Sequence, residues 1–374
     1  MGKVVILGVF VADTAYRADR MPKMGETIMG NSFALGPGGK GSNQAVACAR
    51  MGADTHMISK LGQDDFANLA LDTWAEAGVT PHVEQVAGSY TGAAYIFIEE
   101  RTGDNAIIIA PGAAALISIA DIEEQAELIA SADVFVTQLE QPMPAAMRAL
   151  EIARAAGVTT LLNPAPAATL PDGMLALCDY VTPNETECEA LTGIAVRTEA
   201  DAAKACDALR EHGVKTPIIT MGEQGAYLYG HGLVPAVNAG TVVETTGAGD
   251  AFNGGFAAVI SENMSPLRAA RYGCATAGLS VTKAGTAPSM PSRASVEVLL
   301  RAYDRRELIR DISATLSTAE VSVTDISSKL DESSNEVEIR LKVRVKNYEH
   351  LSELLSRLGS IRNVVEARRL KTQV

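Results

Sequence analysis

Short apolar runs rich in β-branched residues recur along the chain at Val4–Val11, Thr55–Lys60, Val134–Thr137, Thr159–Leu162 and Pro217–Thr220. Each has the length and composition of a buried strand. Between several of them lie stretches with helical spacing of apolar positions, such as Ala145–Ala156 and Ala200–His212. Alternation of this kind predicts an α/β fold with a mainly parallel, doubly wound sheet. Two further runs, Tyr95–Glu99 and Asn105–Ile109, flank the turn Arg101-Thr102-Gly103-Asp104 and predict a hairpin. With Thr27–Leu35 they form a small accessory β-sheet, a lid beside the main one.

The pattern changes near the end of the chain. After Pro291 glycine and proline become scarce and charge density rises. A β-α-β-β-α-β order is expected there: strand Val296–Tyr303, helix Leu308–Thr318, strands Val321–Leu330 and Val337–Val345 around Asp331–Asn335, helix His350–Leu358, and strand Val364–Leu370. The domain boundaries read from this change are 1–295 and 296–374. In Val337–Val345 apolar and charged residues alternate, which places the apolar side chains on one face of a half-covered sheet. At the other terminus Asp13 interrupts the first apolar run, which is too short to span a bilayer and reads as a strand.

Charge narrows the range of partners. The chain of 374 residues carries a formal net charge of −13, so nucleic acid and anionic membrane surfaces are not expected to bind it. Of 32 basic and 45 acidic residues, the segment from Asp304 to Lys371 holds thirteen and twelve, which leaves the acidity with the large domain. Five cysteines without paired spacing predict free thiols and a cytoplasmic location.

The most informative chemistry lies in Glu244-Thr245-Thr246-Gly247-Ala248-Gly249-Asp250-Ala251-Phe252, a glycine-rich turn opening an apolar helix. Small residues at Gly247, Ala248 and Gly249 let backbone N–H groups approach an anion, and the helix N-terminus adds positive potential. Asp250 is either an N-cap or, beside such an anion hole, the base that takes a proton from a hydroxyl during phosphoryl transfer. A second cluster, Gly36-Pro37-Gly38-Gly39-Lys40-Gly41-Ser42-Asn43, lacks the spacing of a P-loop. Lys40 and Asn43 either hold hydroxyls of a polar substrate or belong to a solvated turn. Asn184 and Glu187, three positions apart, read as a helix capping box and also as an oxygen pair suited to Mg²⁺ through water. Thr220-Met221-Gly222-Glu223-Gln224-Gly225 is a turn between two strands and by itself a weak nucleotide signal.

Taken in order, GGKGSNQA, Asn163–Pro166 (NPAP), Thr182–Glu187 (TPNETE), TMGEQG and TTGAGDAFNGGF resemble the ribokinase family of carbohydrate kinases over residues 1–295. The resemblance implies ATP-dependent phosphorylation of a sugar hydroxyl, with ribose the leading substrate. A nucleoside or other sugar kinase, or a regulatory sugar- or nucleotide-binding protein, is the alternative. It implies Asp250 as base, Gly247, Ala248 and Gly249 as anion hole, and Asp13, Gly39, Lys40, Asn43 and Glu140 at the sugar. Asn184, Thr220, Gly222 and Gly225 would meet the nucleotide. Glu187 would hold Mg²⁺ through water, and Glu244, Thr246, Gly285 and Ser289 a monovalent cation such as K⁺. Three positions depart from the family pattern: Val11 and Ala114 stand where asparagine is usual, and Glu244 where aspartate is. The tail, through Ala302–Ser313 (AYDRRELIRDIS) and Val364–Leu370 (VVEARRL), resembles an ACT domain, nearest those of stringent-response enzymes. Glu307 occupies the turn where effector-binding ACT modules favour glycine, so assembly, with a homodimer as the product, is the expectation.

Overall fold

The computed structural model describes residues 1–319, 321–331, 336–361, 364, 367 and 369. The chain divides into two compact units, Met1–Glu297 and Val298–Val374.

In the first unit the strands, in chain order, are β1 (Lys3–Leu7), β2 (Val11–Ala18), β3 (Ser32–Gly38), β4 (Asp54–Leu61), β5 (Val79–Gln85), β6 (Thr91–Glu99), β7 (Asn105–Gly112), β8 (Val134–Thr137), β9 (Thr159–Leu162), β10 (Tyr180–Val181), β11 (Thr216–Thr220), β12 (Gly225–Leu228) and β13 (Gly232–Pro235). Nine of them form one sheet in the order β13-β12-β11-β10-β9-β8-β1-β4-β5. From β11 through β5 all neighbours are parallel, and only β12 is reversed, pairing antiparallel with both β11 and β13. Parallel strands buried on both faces need no polar alternation. Val4, Val5, Ile6 and Leu7 are accordingly all fully buried. Helix Met143–Ala155 covers one face with Ala145, Ala146, Ala149, Leu150 and Ala153, a single stripe at helical spacing.

The sheet winds in opposite directions on the two sides of β1: β4 and β5 follow on one side, β8 to β11 on the other. A crevice outside the carboxyl ends of the strands is expected at such a reversal. Gln138 and Glu140 follow β8, Asn163 follows β9, Thr182 and Asn184 follow β10, and Thr220 ends β11. Glu140, Asn184 and Thr220, singled out by sequence, are therefore brought to one rim of the sheet together with Gln138, Asn163 and Thr182.

The accessory sheet has four strands in the order β3-β2-β6-β7, with β6 and β7 paired as the expected hairpin. Two expectations are corrected. Val4–Val11 is not one strand: β1 stops at Leu7, and Val11 opens β2 of the accessory sheet. The segment Thr27–Leu35 contributes only from Ser32 onward, extending to Gly38.

In the second unit β14 (Ser322–Asp331) and β15 (Glu336–Arg344) form an antiparallel pair, followed by helix Tyr348–Gly359. Ile312, Leu316 and Leu354 are its buried centre, and Ile339, Leu341, Val343 and Val345 pack against them. Arg340, Lys342 and Arg344 are exposed, as the alternation along this strand requires. Val296–Tyr303, expected as a strand, is instead part of helix Arg293–Thr318. Val296 and Leu300, four apart, are buried while Val298 between them is 65% exposed. A strand would have put all three on one face. The expected last strand, Val364–Leu370, lies largely outside the described residues.

Candidate active site

Two helices meet over the carboxyl rim of the large sheet. One, Lys40–Arg50, follows the glycine cluster and is preceded by Gly39, whose φ of 88° is left-handed backbone. The other, Ala248–Ile260, starts at Gly247 and is buried from Asp250 through Val259. They lie so close that a Cβ on Gly254 would stand 2.5 Å from the Ala47 Cβ and 2.7 Å from the Gln44 carbonyl oxygen. Glycine at 254 is what permits the approach.

This contact sets the surroundings of Asp250. Asn43 Nδ2 donates to Asp250 Oδ2 at 3.0 Å, and Gln44 Nε2 donates to Oδ1 at 3.0 Å. Asp250 is buried, and burial raises its pKa above the usual carboxylate value. The charge of Lys40 and the Gln44 and Asn43 hydrogen bonds oppose that rise. Lys40 is in turn surrounded by acid: burial works to lower its pKa, but Asp250, Glu140 and Glu187 outweigh it and the pKa rises. Its backbone N–H donates to Glu140 Oε2 at 2.8 Å.

Two more carboxyls face this centre. Glu140 is pushed up to about 7, by burial first and by Asp250 and Asp13, against the pull of Lys40. Asp13, on β2, is pushed up to about 6 by burial, Glu244 and Asp250. It sits against Gly38, where a Cβ would be 2.2 Å from the Asp13 carboxylate. Asn43 Oδ1 is buried without a hydrogen-bond partner among the described residues. Displaced titrations and an orphan acceptor gathered at one rim mark a site built for a polar ligand. Asp13, Gly39, Lys40, Asn43, Glu140 and Asp250 thus come from distant parts of the chain to one place.

At the turn before Asp250, Ala248 N–H is engaged by Thr245 O at 3.2 Å, while nothing lies within 4 Å of where a Cβ on Gly249 would stand. Backbone approach is open there. Asn184 and Glu187 form a reciprocal capping box, with Glu187 N–H to Asn184 Oδ1 at 2.8 Å and Asn184 N–H to Glu187 Oε2 at 2.9 Å. Thr220 is paired with Asn184 as an isolated parallel bridge. Gly222 and Gly225 belong to the turn into β12. Gly225 has a φ of 113°, and a side chain there would strike Val234 O at 2.1 Å, so the hairpin alone demands glycine. Glu244 Oε2 accepts from Gly285 N–H at 2.8 Å, and Ser289 Oγ donates to Thr286 O at 2.8 Å. Thr246 is exposed two residues before the helix that carries Asp250.

Sequence reasoning gave no role to Gln44, Gln138, Asn163, Thr182, Asn253 or Arg50. All but Arg50 are buried. Arg50 Nη1 donates to the carbonyls of Ala287 (3.2 Å), Pro288 (3.2 Å) and Met290 (2.7 Å), holding the segment that contains Ser289. The available signal was polar side chains inside runs of small apolar residues, since such groups must be bonded when buried.

Residues 1–293 match the model of the pfkB family carbohydrate kinases. The chain belongs to that family. Ribokinase of Haemophilus influenzae is 38% identical over 293 residues, spanning 78% of this chain and 95% of its own length. Deoxyribokinase of Salmonella typhi is 38% identical over 296 residues, 77% of this chain and 95% of its own. Arabidopsis thaliana ribokinase complexed with ribose and ATP aligns with a TM-score of 0.75 at 31% identity, covering 80% of this chain and 98% of its own. Residues 292–369 of this carbohydrate kinase match an ACT domain model.

Proposed function

We propose that this chain transfers the γ-phosphoryl group of ATP to a hydroxyl of ribose, giving ribose 5-phosphate. The observation that carries the reading is the buried Asp250 carboxylate, bonded on both oxygens by Asn43 and Gln44, at the first turn of a helix and within the field of Lys40. The likeness to a ribokinase complexed with ribose and ATP supports it. Asp250 takes the proton of the attacking hydroxyl as its oxygen bonds to phosphorus and ADP departs. Burial strengthens the base by raising its pKa, and the charge of Lys40 with the two amides opposes that rise by favouring the ionised form. The N–H groups of the Gly247-Ala248-Gly249 turn, with Gly249 the most accessible, stabilise the transferring group.

Asp13, Gly39, Lys40, Asn43 and Glu140 hold the sugar, and the unpartnered Asn43 Oδ1 accepts one of its hydroxyls. Asn184, Thr220, Gly222 and Gly225 lie along the nucleotide. Among the described residues no group of three or more His, Cys, Asp or Glu is placed to hold a metal ion. That fits Mg²⁺ carried mainly by phosphate and water, with Glu187 reaching it through water. The Mg²⁺ would supply charge neutralisation on the phosphates. Glu244, with Thr246, Gly285 and Ser289, offers hard oxygen donors suited to K⁺ beside the anion-hole turn.

The kinase part is taken as 1–295 and the ACT-like part as 296–374. Among the described residues no helix is long and apolar enough to cross a membrane, and all five cysteines are free and buried. Both agree with a cytoplasmic enzyme. The accessory sheet leaves Tyr16, Phe33, Leu35, Ile107, Ile108 and Ile109 exposed, and this apolar surface supports a homodimer.

Val11 and Ala114 are 2% and 1% exposed and belong to one apolar cluster, so neither position offers the sugar a hydrogen bond. Discrimination then rests on the carboxyls of Asp13 and Glu140. The test is ADP release with ATP and Mg²⁺ against D-ribose, 2-deoxy-D-ribose, hexoses and nucleosides, with NMR of the product. Ribose is expected as the best substrate, phosphorylated at the 5-hydroxyl. A nucleoside or hexose preferred over both pentoses would overturn the assignment.

A further inference from the structure

The motifs NPAP and TPNETE contain two residues, Asn163 and Thr182, that the reading above leaves without a task. Both are buried and both are bonded to the catalytic helix or to its partner. Gln44 Nε2, besides donating to Asp250 Oδ1, donates to Asn163 Oδ1 at 3.1 Å. Asn163 Nδ2 donates to Thr182 O at 3.1 Å. Thr182 Oγ1 donates to Asn253 Oδ1 at 2.6 Å, and Asn253 Nδ2 donates to Gly249 O at 2.8 Å. Gly249 precedes Asp250 in the chain, so the path returns to where it began and forms a closed ring.

Every amide in the ring has one possible orientation. The Asp250 carboxylate can only accept, so Gln44 presents Nε2 to it and to Asn163, which leaves Gln44 Oε1 to accept from Gln138 Nε2 at 2.7 Å. The carbonyl of Thr182 can only accept, so Asn163 presents Nδ2 to it and Oδ1 to Gln44. The carbonyl of Gly249 fixes Asn253 in the same way. The members come from helix Lys40–Arg50, the ends of β9 and β10, and helix Ala248–Ile260. Gln44, Asn163, Thr182 and Asn253 are between 0% and 6% exposed, so water does not compete for these bonds.

We propose that Gln44, Asn163, Thr182 and Asn253 are positioning residues that lock the Asp250 carboxylate and the Gly249 turn into one rigid unit. The inference rests on Asp250 being the base. Catalysis needs the carboxylate and the phosphate-facing N–H groups in fixed relation, and a misplacement of about 1 Å is costly. The ring connects the two through side chains as well as through the backbone. Thr182 and Asn253 do not bond Asp250 themselves, so their effect reaches it through neighbours.

The experiment is a double-mutant cycle on the full chain, with D-ribose and ATP as probes. Thr182→Val removes one donor with little change of shape and should lower kcat about tenfold, with smaller effects on the KM values, because an interaction realised in the transition state is lost. Gln44→Met should lower kcat more and move the acid limb of its pH profile upward, since the carboxylate loses a bond that favours its ionised form. Members of one network are not additive, so the double variant should fall within roughly threefold of Gln44→Met alone. Thr182→Ser, which keeps the hydroxyl, should restore most of kcat. Effects that multiply, an unmoved acid limb in Gln44→Met, or a Thr182→Ser variant as slow as Thr182→Val would each overturn the ring. Asp250→Asn is run alongside: if that variant keeps its kcat, the base assignment itself falls, whatever the cycle gives.

Discussion

Replacing Gly254 by alanine tests whether helix packing sets the geometry of the site. In an unconstrained helix this change would stabilise by about 1 kcal/mol, because alanine is the better helix former. Here the added methyl would stand 2.5 Å from the Ala47 Cβ, 2.7 Å from Gln44 O and 2.9 Å from Cys48 N. Ordinary carbon contacts lie near 3.5–4.0 Å, so the two helices must separate by about 1 Å. Two of the three contacts are with backbone, which cannot rotate aside, and overpacking of this kind costs up to about 3 kcal/mol. The net loss is then about 2 kcal/mol, a fall in Tm of roughly 4–8 °C. Because Asn43 and Gln44 ride on the displaced helix, their 3.0 Å bonds to Asp250 lengthen too. A shift of about 1 Å at reacting groups lowers kcat roughly 100-fold. Thermal unfolding and steady-state kinetics of Gly254→Ala measure both. A Tm at or above that of the unaltered protein, with kcat within threefold, would refute the packing argument.

Gly249→Ala is the contrasting case: nothing lies within 4 Å of its Cβ position, so Tm should hold or rise slightly, while kcat falls if phosphate approaches that backbone. Lys40→Ala and Asn43→Ala should raise the KM for sugar more than that for ATP, and an effect confined to ATP would exchange the assigned roles of the two loops. Glu140 has its pKa raised by burial to about 7 from 4.5, so its neutral form stabilises the ligand-free fold fully below about 4.5, and that contribution is lost as pH rises through 7. Unfolding measured from pH 5 to 8 should show this decline flattened in Glu140→Gln, and an unaltered slope would count against it. K⁺ should activate the enzyme, because a cation near Glu244 would steady the neighbouring anion-hole turn. Equal rates with a large organic cation in its place would remove that site.

The large sheet was legible because fully buried parallel strands write themselves as apolar runs, as in Val134–Thr137 and Thr159–Leu162, both of which hold to the residue. Val79–Gln85 escaped notice because Pro81, Glu84 and Gln85 disguise an edge strand that is covered only on one side. The tail misled at Val296–Tyr303, where Val296, Val298 and Leu300 fit a period of 2 as well as a helix, and only burial separates the readings. At the site, glycine clusters and the residues beside them could be read directly, since close backbone approach has few sequence solutions. Gln44, Asn163 and Asn253 could not, because a buried amide is defined by partners more than 100 positions away in the chain or on another strand, as Gln44 is by Asn163 and Asp250.

The central claim is that Asp250 accepts the proton of the sugar hydroxyl. Asp250→Asn removes that capacity with little change of size, although it sets an NH₂ against the amide donor of either Asn43 or Gln44. The decisive measurement is single-turnover phosphorylation of D-ribose by saturating Asp250→Asn enzyme, with calorimetry to verify that sugar and ATP still bind. The account predicts a loss of about 10²–10⁴-fold in the chemical step with binding largely kept. A rate within tenfold of the unaltered enzyme, with both substrates bound, would contradict it.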